Sequence, residues 1–281
     1  MVTLAVSPEG VDAMSGRLWL AGATAVTEEP NGDGVRLVAG FADEGDARAA
    51  ADTLGGAFAL VEPGAWLDAW RAFAQPVRAG RLLVVPAWLE PSDLELGTGT
   101  SGFRTDSVPS SEEGPVRIDV DPGRVFGHGG HPTTRLLLEE LDRRIAGGER
   151  VLDVGCGSGV LSVAAAALGA GSVEGIDIDP AAVAVTHENA ARNGVRVEAS
   201  TTPVELLTGR YDLVLANIGA DVVVELAPVL TRLGDVVLLS GLLVERIDEV
   251  VGSYAGTGAS VAVATLEGWA AVAVTLAGTT A

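Results

Sequence analysis

The chain has 281 residues, enough for one large domain or two smaller ones, and 48% are hydrophobic although only 4% are aromatic. A net charge of −20 argues against a nucleic-acid surface, and no run approaches the ~18 apolar residues that a spanning helix needs, so no membrane role is expected. The single cysteine, Cys156, excludes an internal disulfide and fits a reducing compartment. The opening MVTLAVSPEG lacks the basic start and apolar centre of an export signal, so the expected location is the cytoplasm. All 18 basic residues are arginine, which a GC-rich genome explains without functional content. The acidity either favours encounter with a basic partner, such as a cationic protein substrate, or merely keeps the chain in solution.

Residues 1–62 read as a small α+β unit. Val2 to Val6 is strand-like, Pro8 to Leu20 helical, Val35 to Phe41 strand-like, Glu44 to Leu54 helical and Ala57 to Val61 strand-like. Residues 63–116 read as a helical segment followed by a linker. Trp66, Trp70 and Phe73 stand at helical spacing and predict an apolar face packed on a neighbour. Gly97 to Gly114 is rich in Gly, Ser, Thr and acids without any apolar period.

From 117 to 281, strand and helix patterns alternate, which predicts a parallel sheet covered on both faces. The first strand, Val151 to Val154, runs into the glycine-rich turn of VLDVGCGSG, and Leu161 to Leu168 is helical. Val173 to Ile178 is the second strand. Asp179-Pro180 then opens a helix, with Asp as cap and Pro in the first helical position. A short strand is expected at Val195 to Glu198 and another at Asp212 to Ala216. Helix, strand and helix follow at Val222–Leu230, Val236–Leu239 and Leu243–Tyr254. Ser260 to Leu266 and Trp269 to Leu276, separated by Glu267-Gly268, read as a terminal hairpin. A mostly parallel α/β sheet ending in an antiparallel hairpin is the Rossmann-like class I methyltransferase fold rather than the dehydrogenase fold.

The glycine turn alone fits either a cofactor loop or a tight turn. Asp177 shifts the balance, because an acid at the tip of the second strand is placed to accept hydrogen bonds from ribose hydroxyls. A dinucleotide fingerprint would need glycine at 155, 157 and 160, but position 160 is Val160 and the third glycine is Gly159. GxGxG is the spacing that binders of S-adenosyl-L-methionine commonly show, so the expected cofactor is that methyl donor.

DPGRVFGHGGHPTT (Asp121 to Thr134), VLDVGCGSG, GIDIDP and YDLVLANI together resemble the PrmA-type ribosomal protein methyltransferases, which methylate large-subunit ribosomal protein eleven. AWLDAWRAFAQP, LSGLL (Leu239 to Leu243) and a late Trp269 extend the similarity to nearly the whole chain, most weakly in the first 60 residues. The resemblance implies a small N-terminal domain that grips the substrate and a C-terminal domain that binds S-adenosyl-L-methionine. It further implies cofactor contacts at Thr134, Gly155, Gly157, Asp177 and Asn217. The chain departs from the family pattern at His128 and Gly130, where threonines are usual, at Gly219, where leucine is usual, and in a longer linker. These departures bear on loop closure and on substrate fit.

Asn217, at the end of the fourth strand, is the candidate catalytic residue, orienting the acceptor amine. No aromatic follows it, so a flexible alkyl amine fits better than a planar target. His128 and His131 without acidic or cysteine companions make a poor metal site, and no metal is expected. His131 either orders its loop or helps to remove a proton. Cys156 reads as a packing residue. Asp153 either holds the glycine loop through backbone amides or contacts the cofactor's ammonium. The expected activity is N-methylation of the N-terminal amine or lysine side chains of ribosomal protein eleven by a monomer. Another protein lysine or a small amine is the alternative acceptor; a nucleoside sensor and a nicotinamide dehydrogenase are the rival classes.

Overall fold

In VTLAV, VRLVAGF and the alanine-rich helix between residues 44 and 54, apolar side chains recur at the periods that let two helices cover one face of a sheet. The computed structural model describes residues 1–60, 75–89 and 114–276, apart from 8, 9, 33, 42, 124 and 126. It divides into two units, Met1–Ala72 and Phe73–Ala281. The first runs β1 (Val2–Val6), α1 (Val11–Leu20), β2 (Ala23–Asn31), β3 (Gly34–Phe41), α2 (Glu44–Leu54) and β4 (Ala57–Phe58). Its antiparallel sheet has the order β2-β3-β1-β4. Val2, Leu4, Leu18, Leu37, Ala39, Ala47 and Ala50 form its core, the small alanines bringing α2 close to the strands. Asp43 caps α2 through Gly45 N and Asp46 N, and Gly55 ends it in the left-handed region. β2 is not legible in ATAVTEEPN, where Pro30 and two glutamates break the apolar period. An edge strand tolerates such residues, because proline there leaves no ladder bond unmade.

The second unit begins with β5 (Val77–Ala79), β6 (Leu82–Pro86) and β7 (Val116–Val120), a three-stranded sheet in that order. β5 and β6 correct the expected helix-and-linker reading of 63–116 over 77–86. The expected helix carrying Trp66, Trp70 and Phe73, and all but the last residue of the linker expected over Gly97 to Gly114, lie outside the described residues.

α3 (Pro132–Arg144), β8 (Arg150–Val154), α4 (Val160–Ala167), β9 (Ser172–Ile176), α5 (Pro180–Arg192) and β10 (Glu198–Ser200) follow. Then come β11 (Tyr211–Asn217), α6 (Ala220–Leu233), β12 (Gly234–Leu243), α7 (Ile247–Ser253), β13 (Ser260–Leu266) and β14 (Trp269–Thr275). The seven strands stand in the order β10-β9-β8-β11-β12-β14-β13; the first five are parallel and β14 runs antiparallel to both its neighbours. Strand residues alternate between two cores. Val151, Leu213, Leu215 and Leu238 meet Leu137, Leu141 and Val163 on one face. Leu152, Val214, Val237 and Leu239 meet Val223, Leu230 and Val250 on the other.

Strand order reverses at β8, the place where open α/β sheets bind ligands beyond their carboxyl ends. β9 stops at Ile176, leaving Asp177 and Ile178 beyond it, and the Ile178 side chain is 98% exposed. The strand expected at Val195–Glu198 lies instead at Glu198–Ser200, because Gly194 takes φ +65 at the end of α5 and the chain turns before pairing with β9.

Candidate functional site

Gly155 leaves β8 at φ +74, and its N–H and that of Cys156 donate to Ile176 O at 2.8 and 3.1 Å. A Cβ at Gly155 would stand 2.6 Å from Ile218 Cγ2, so the glycine lets the turn after β11 close onto the loop after β8. Gly157 N donates to Asp177 Oδ2 at 2.9 Å, and Asp179 N donates to Asp177 Oδ1 at 2.9 Å. Asp177 therefore organises the glycine loop as well as standing at the carboxyl edge. Asp179, as anticipated, caps α5 by accepting from Ala181 N at 2.8 Å.

The segment before α3 is fastened onto this loop. Ser158 Oγ donates to Gly127 O, and a Cβ at Gly127 would lie 2.6 Å from that hydroxyl. Asn189 of α5 is fully buried; its Nδ2 donates to Asp121 O and Ser158 O at 2.9 and 2.8 Å, and its Oδ1 accepts from Asp121 N at 3.0 Å. One helical turn on, Asn193 repeats the pattern with Asp119, accepting from its N at 2.7 Å and donating to its O at 2.8 Å. Two amides on one helix face thus stand in for a neighbouring strand along 119–121. Sequence reasoning missed both; the signal is their four-residue spacing in HENAARNG.

His131 caps α3 through Nδ1, which lies 2.8 Å from Thr133 Oγ1, and its ring meets Trp269 edge-on at 4.8 Å. Burial lowers its pKa, with the Glu267 carboxylate pulling the other way. That cap favours the ordering role for His131. His128 accepts from Gly130 N at 3.1 Å; burial and then the charge of His131 lower its pKa.

Thr134, in the first turn of α3, is 1% exposed, and its Oγ1 accepts from Asn217 Nδ2 at 3.2 Å. Asn217 Oδ1 is buried and has no partner among the described residues. The turn that carries it is held from behind. Ile218 N donates to Ser240 O, and a Cβ at Gly241, which has φ +86, would stand 2.4 Å from Ile218 O. The residue missed here is Gly241, which sits at the irregularity in β12–β14 pairing.

Asp153 is 1% exposed; Ser162 Oγ donates to its Oδ2 at 2.6 Å, and Oδ1 has no partner among the described residues. Burial, helped by the Asp177 charge and opposed by the Ser162 bonds, pushes its pKa up to about 6. It is Asp177, not Asp153, whose carboxylate accepts from a glycine-loop amide. Burial lifts the Cys156 thiol to about 12, which suits packing and not attack. Among the described residues, no group of three or more His, Cys, Asp or Glu could hold a metal ion.

Two buried acceptors without donors, Asn217 Oδ1 and Asp153 Oδ1, flank a loop whose glycines bring backbone into close approach. Unpaired buried oxygens cost free energy unless a ligand supplies N–H groups. The residues present therefore fit a ligand that carries an amino group beside a sugar. Thr134, Gly155, Gly157, Asp177 and Asn217 all lie around the carboxyl ends of β8, β9 and β11, whereas His187 bonds Ala199 N on the edge strand.

A family model described as Ribosomal protein L11 methyltransferase (PrmA) matches residues 42–276. The chain is 45% identical over 207 residues to the Ribosomal protein L11 methyltransferase of Geobacter metallireducens, covering 72% of this chain and 63% of that protein. Its counterpart in Pelotomaculum thermopropionicum is 38% identical over 283 residues, 91% of this chain and 86% of that one. The chain thus matches less than two thirds of the Geobacter relative's length. Among solved structures, the ribosomal protein L11 methylase from Lactobacillus delbrueckii subsp. bulgaricus superposes with TM-score 0.60 at 27% identity, over 72% of this chain and 99% of that one.

Proposed function

The chain belongs to the PrmA family of ribosomal protein L11 methyltransferases, and on that premise we propose that it transfers methyl groups from S-adenosyl-L-methionine to amino groups of ribosomal protein L11. The N-terminal amine and lysine side chains are the acceptors proposed. The observation that carries the reading is the unpaired, buried Asn217 Oδ1 beside the glycine loop at the strand reversal. When bound, S-adenosyl-L-methionine supplies a methyl group already activated by its sulfonium. What remains for the protein is alignment, which can contribute about 7–11 kcal/mol to lowering a barrier. Asn217 Oδ1 accepts an amine N–H and turns the nitrogen lone pair toward the methyl. Gly155 and Gly157 let the ligand lie against the backbone, and Asp177 keeps lone pairs for ribose hydroxyls while it holds Gly157 N. Asp153 Oδ1 and the buried first turn of α3 would hold the donor's amino-acid end. The first unit is proposed to grip the acceptor, and the net charge of −20 suits a cationic protein.

Incubation with labelled donor and purified ribosomal protein L11, followed by intact-mass spectrometry, tests the proposal. Stepwise methyl additions to that protein are expected. Label in other proteins with none in ribosomal protein L11 would overturn the acceptor, and no transfer to any amine would overturn the activity.

A further inference from the structure

We infer that Gly219 is a specificity-determining residue, leaving room on the acceptor side of Asn217 for an α-amine whose carbon carries a large side chain. The inference rests on the proposed amine methylation and concerns which amines fit. Nothing in the fold asks for glycine at 219. Its backbone stands at φ −59 and ψ 146, which any residue adopts, and it opens α6 without a side-chain cap. A Cβ there would meet nothing within 4 Å. Gly155 and Gly241 are the opposite case, since a Cβ on either would be driven into Ile218. Ile218 thus fills the side toward the glycine loop. The position after it, two residues and at most about 7 Å from Asn217, holds no side chain. Three residues further on, and so a neighbour on the helix surface, Val222 is 45% exposed. Leu243, 46% exposed, stands on the same rim, which Arg246 ties together by donating from Nη2 to Asp221 Oδ1 at 2.6 Å. The open space beyond Asn217 is therefore bordered by apolar side chains and one carboxylate. A lysine nitrogen ends an unbranched tether and needs only a slot. An α-amine sits on a carbon that also bears a side chain and a carbonyl, so it reaches Asn217 Oδ1 only where there is room beside the nitrogen. An apolar first side chain would take Val222 and Leu243 out of water as the amine seats.

The test uses the full chain and ribosomal protein L11 prepared with either alanine or leucine as its first residue. Rates of α-amine methylation are read by mass spectrometry of the N-terminal peptide. Wild type should methylate the two forms at rates within about threefold of each other. In Gly219→Leu the ratio of the alanine-form rate to the leucine-form rate should rise at least about tenfold, the discrimination that a filled pocket exerts against a few extra carbons. Gly219→Val should give an intermediate ratio, and it keeps the test decidable if the leucine variant melts early. Three results would overturn the inference while leaving the activity standing: a ratio that stays at the wild-type value in the folded variants, a wild type that already rejects the leucine form by tenfold, or a wild type that methylates lysines but no α-amine. A wild-type chain that methylates no amine would overturn both.

Discussion

Replacing Asp153 by asparagine removes a charge from the interior while leaving the shape nearly unchanged. Burial holds the pKa of this carboxyl at about 6 against an ordinary 3.8. A folded-state value above the unfolded one means that, between those pH values, the native chain binds more protons than the unfolded chain. Its contribution is thus most favourable below about 3.8 and is lost as pH rises through about 6. The gap corresponds to about 3 kcal/mol of destabilisation in wild type at neutral pH. Asparagine also brings an N–H2 to the place of the unpaired Oδ1, but that cost does not change with pH, so the difference profile isolates the ionisation. Calorimetric melting of both proteins at a series of pH values from 4 to 7.5 should show the variant gaining on wild type by roughly 6–12 °C across the range. A flat difference would refute the reasoning. The retained charge would then need no account, whereas a sloping one implies a functional return. Accordingly, Asp153→Asn should also weaken S-adenosyl-L-methionine binding, whose ammonium would be the natural donor to the unpaired oxygen.

Gly241→Ala would force a side chain into φ +86 and place its Cβ 2.4 Å from Ile218 O. A loss of at least about 2 kcal/mol and a larger fall in kcat than in donor affinity are expected, and a wild-type melting curve would contradict the clamp. Gly130→Ala sets a methyl 3.0 Å from His128 Cε1 and 3.1 Å from its Nδ1. It should cost about 1 kcal/mol in wild type and nothing measurable in a His128→Ala background, since the two departures from the family pattern are then one coupled change; equal costs would separate them. Asp177→Ala removes the acceptor of two backbone N–H groups as well as the proposed ribose contact. Donor affinity should fall at least about tenfold, and calorimetry giving an unchanged Kd would remove Asp177 from the site.

The glycine loop, Asp177 and the alternation of strands and helices were legible because each is written in a few consecutive residues. Val154 to Gly159 must turn sharply whatever lies elsewhere, and Asp179-Pro180 starts a helix from local geometry alone. Asn189 and Asn193 are different. Their partners, the backbone of Asp121 and Asp119, lie 68 and 74 positions away, and nothing within HENAARNG says which buried segment lacks a strand beside it. Gly241 is hidden for the same reason. Within LSGLL it reads as a weak spot in an apolar strand, and its purpose appears only when β12 brings it against Ile218 O.

The same logic explains why Asn217 was visible as a candidate but its chemistry was not. Its place at the end of an apolar strand can be read from YDLVLANI, yet an amide's usefulness depends on which end is free. The partner of its Nδ2 is Thr134, 83 residues upstream, which no local pattern announces. Two substitutions that look conservative, Thr134→Val and Gly241→Ala, therefore reach Asn217 by separate routes: the first removes the partner of its Nδ2, the second displaces the turn that bears it. If the site works as proposed, the first should leave the melting temperature nearly intact and the second should not. Loss of turnover then has two structural routes that stability measurements tell apart.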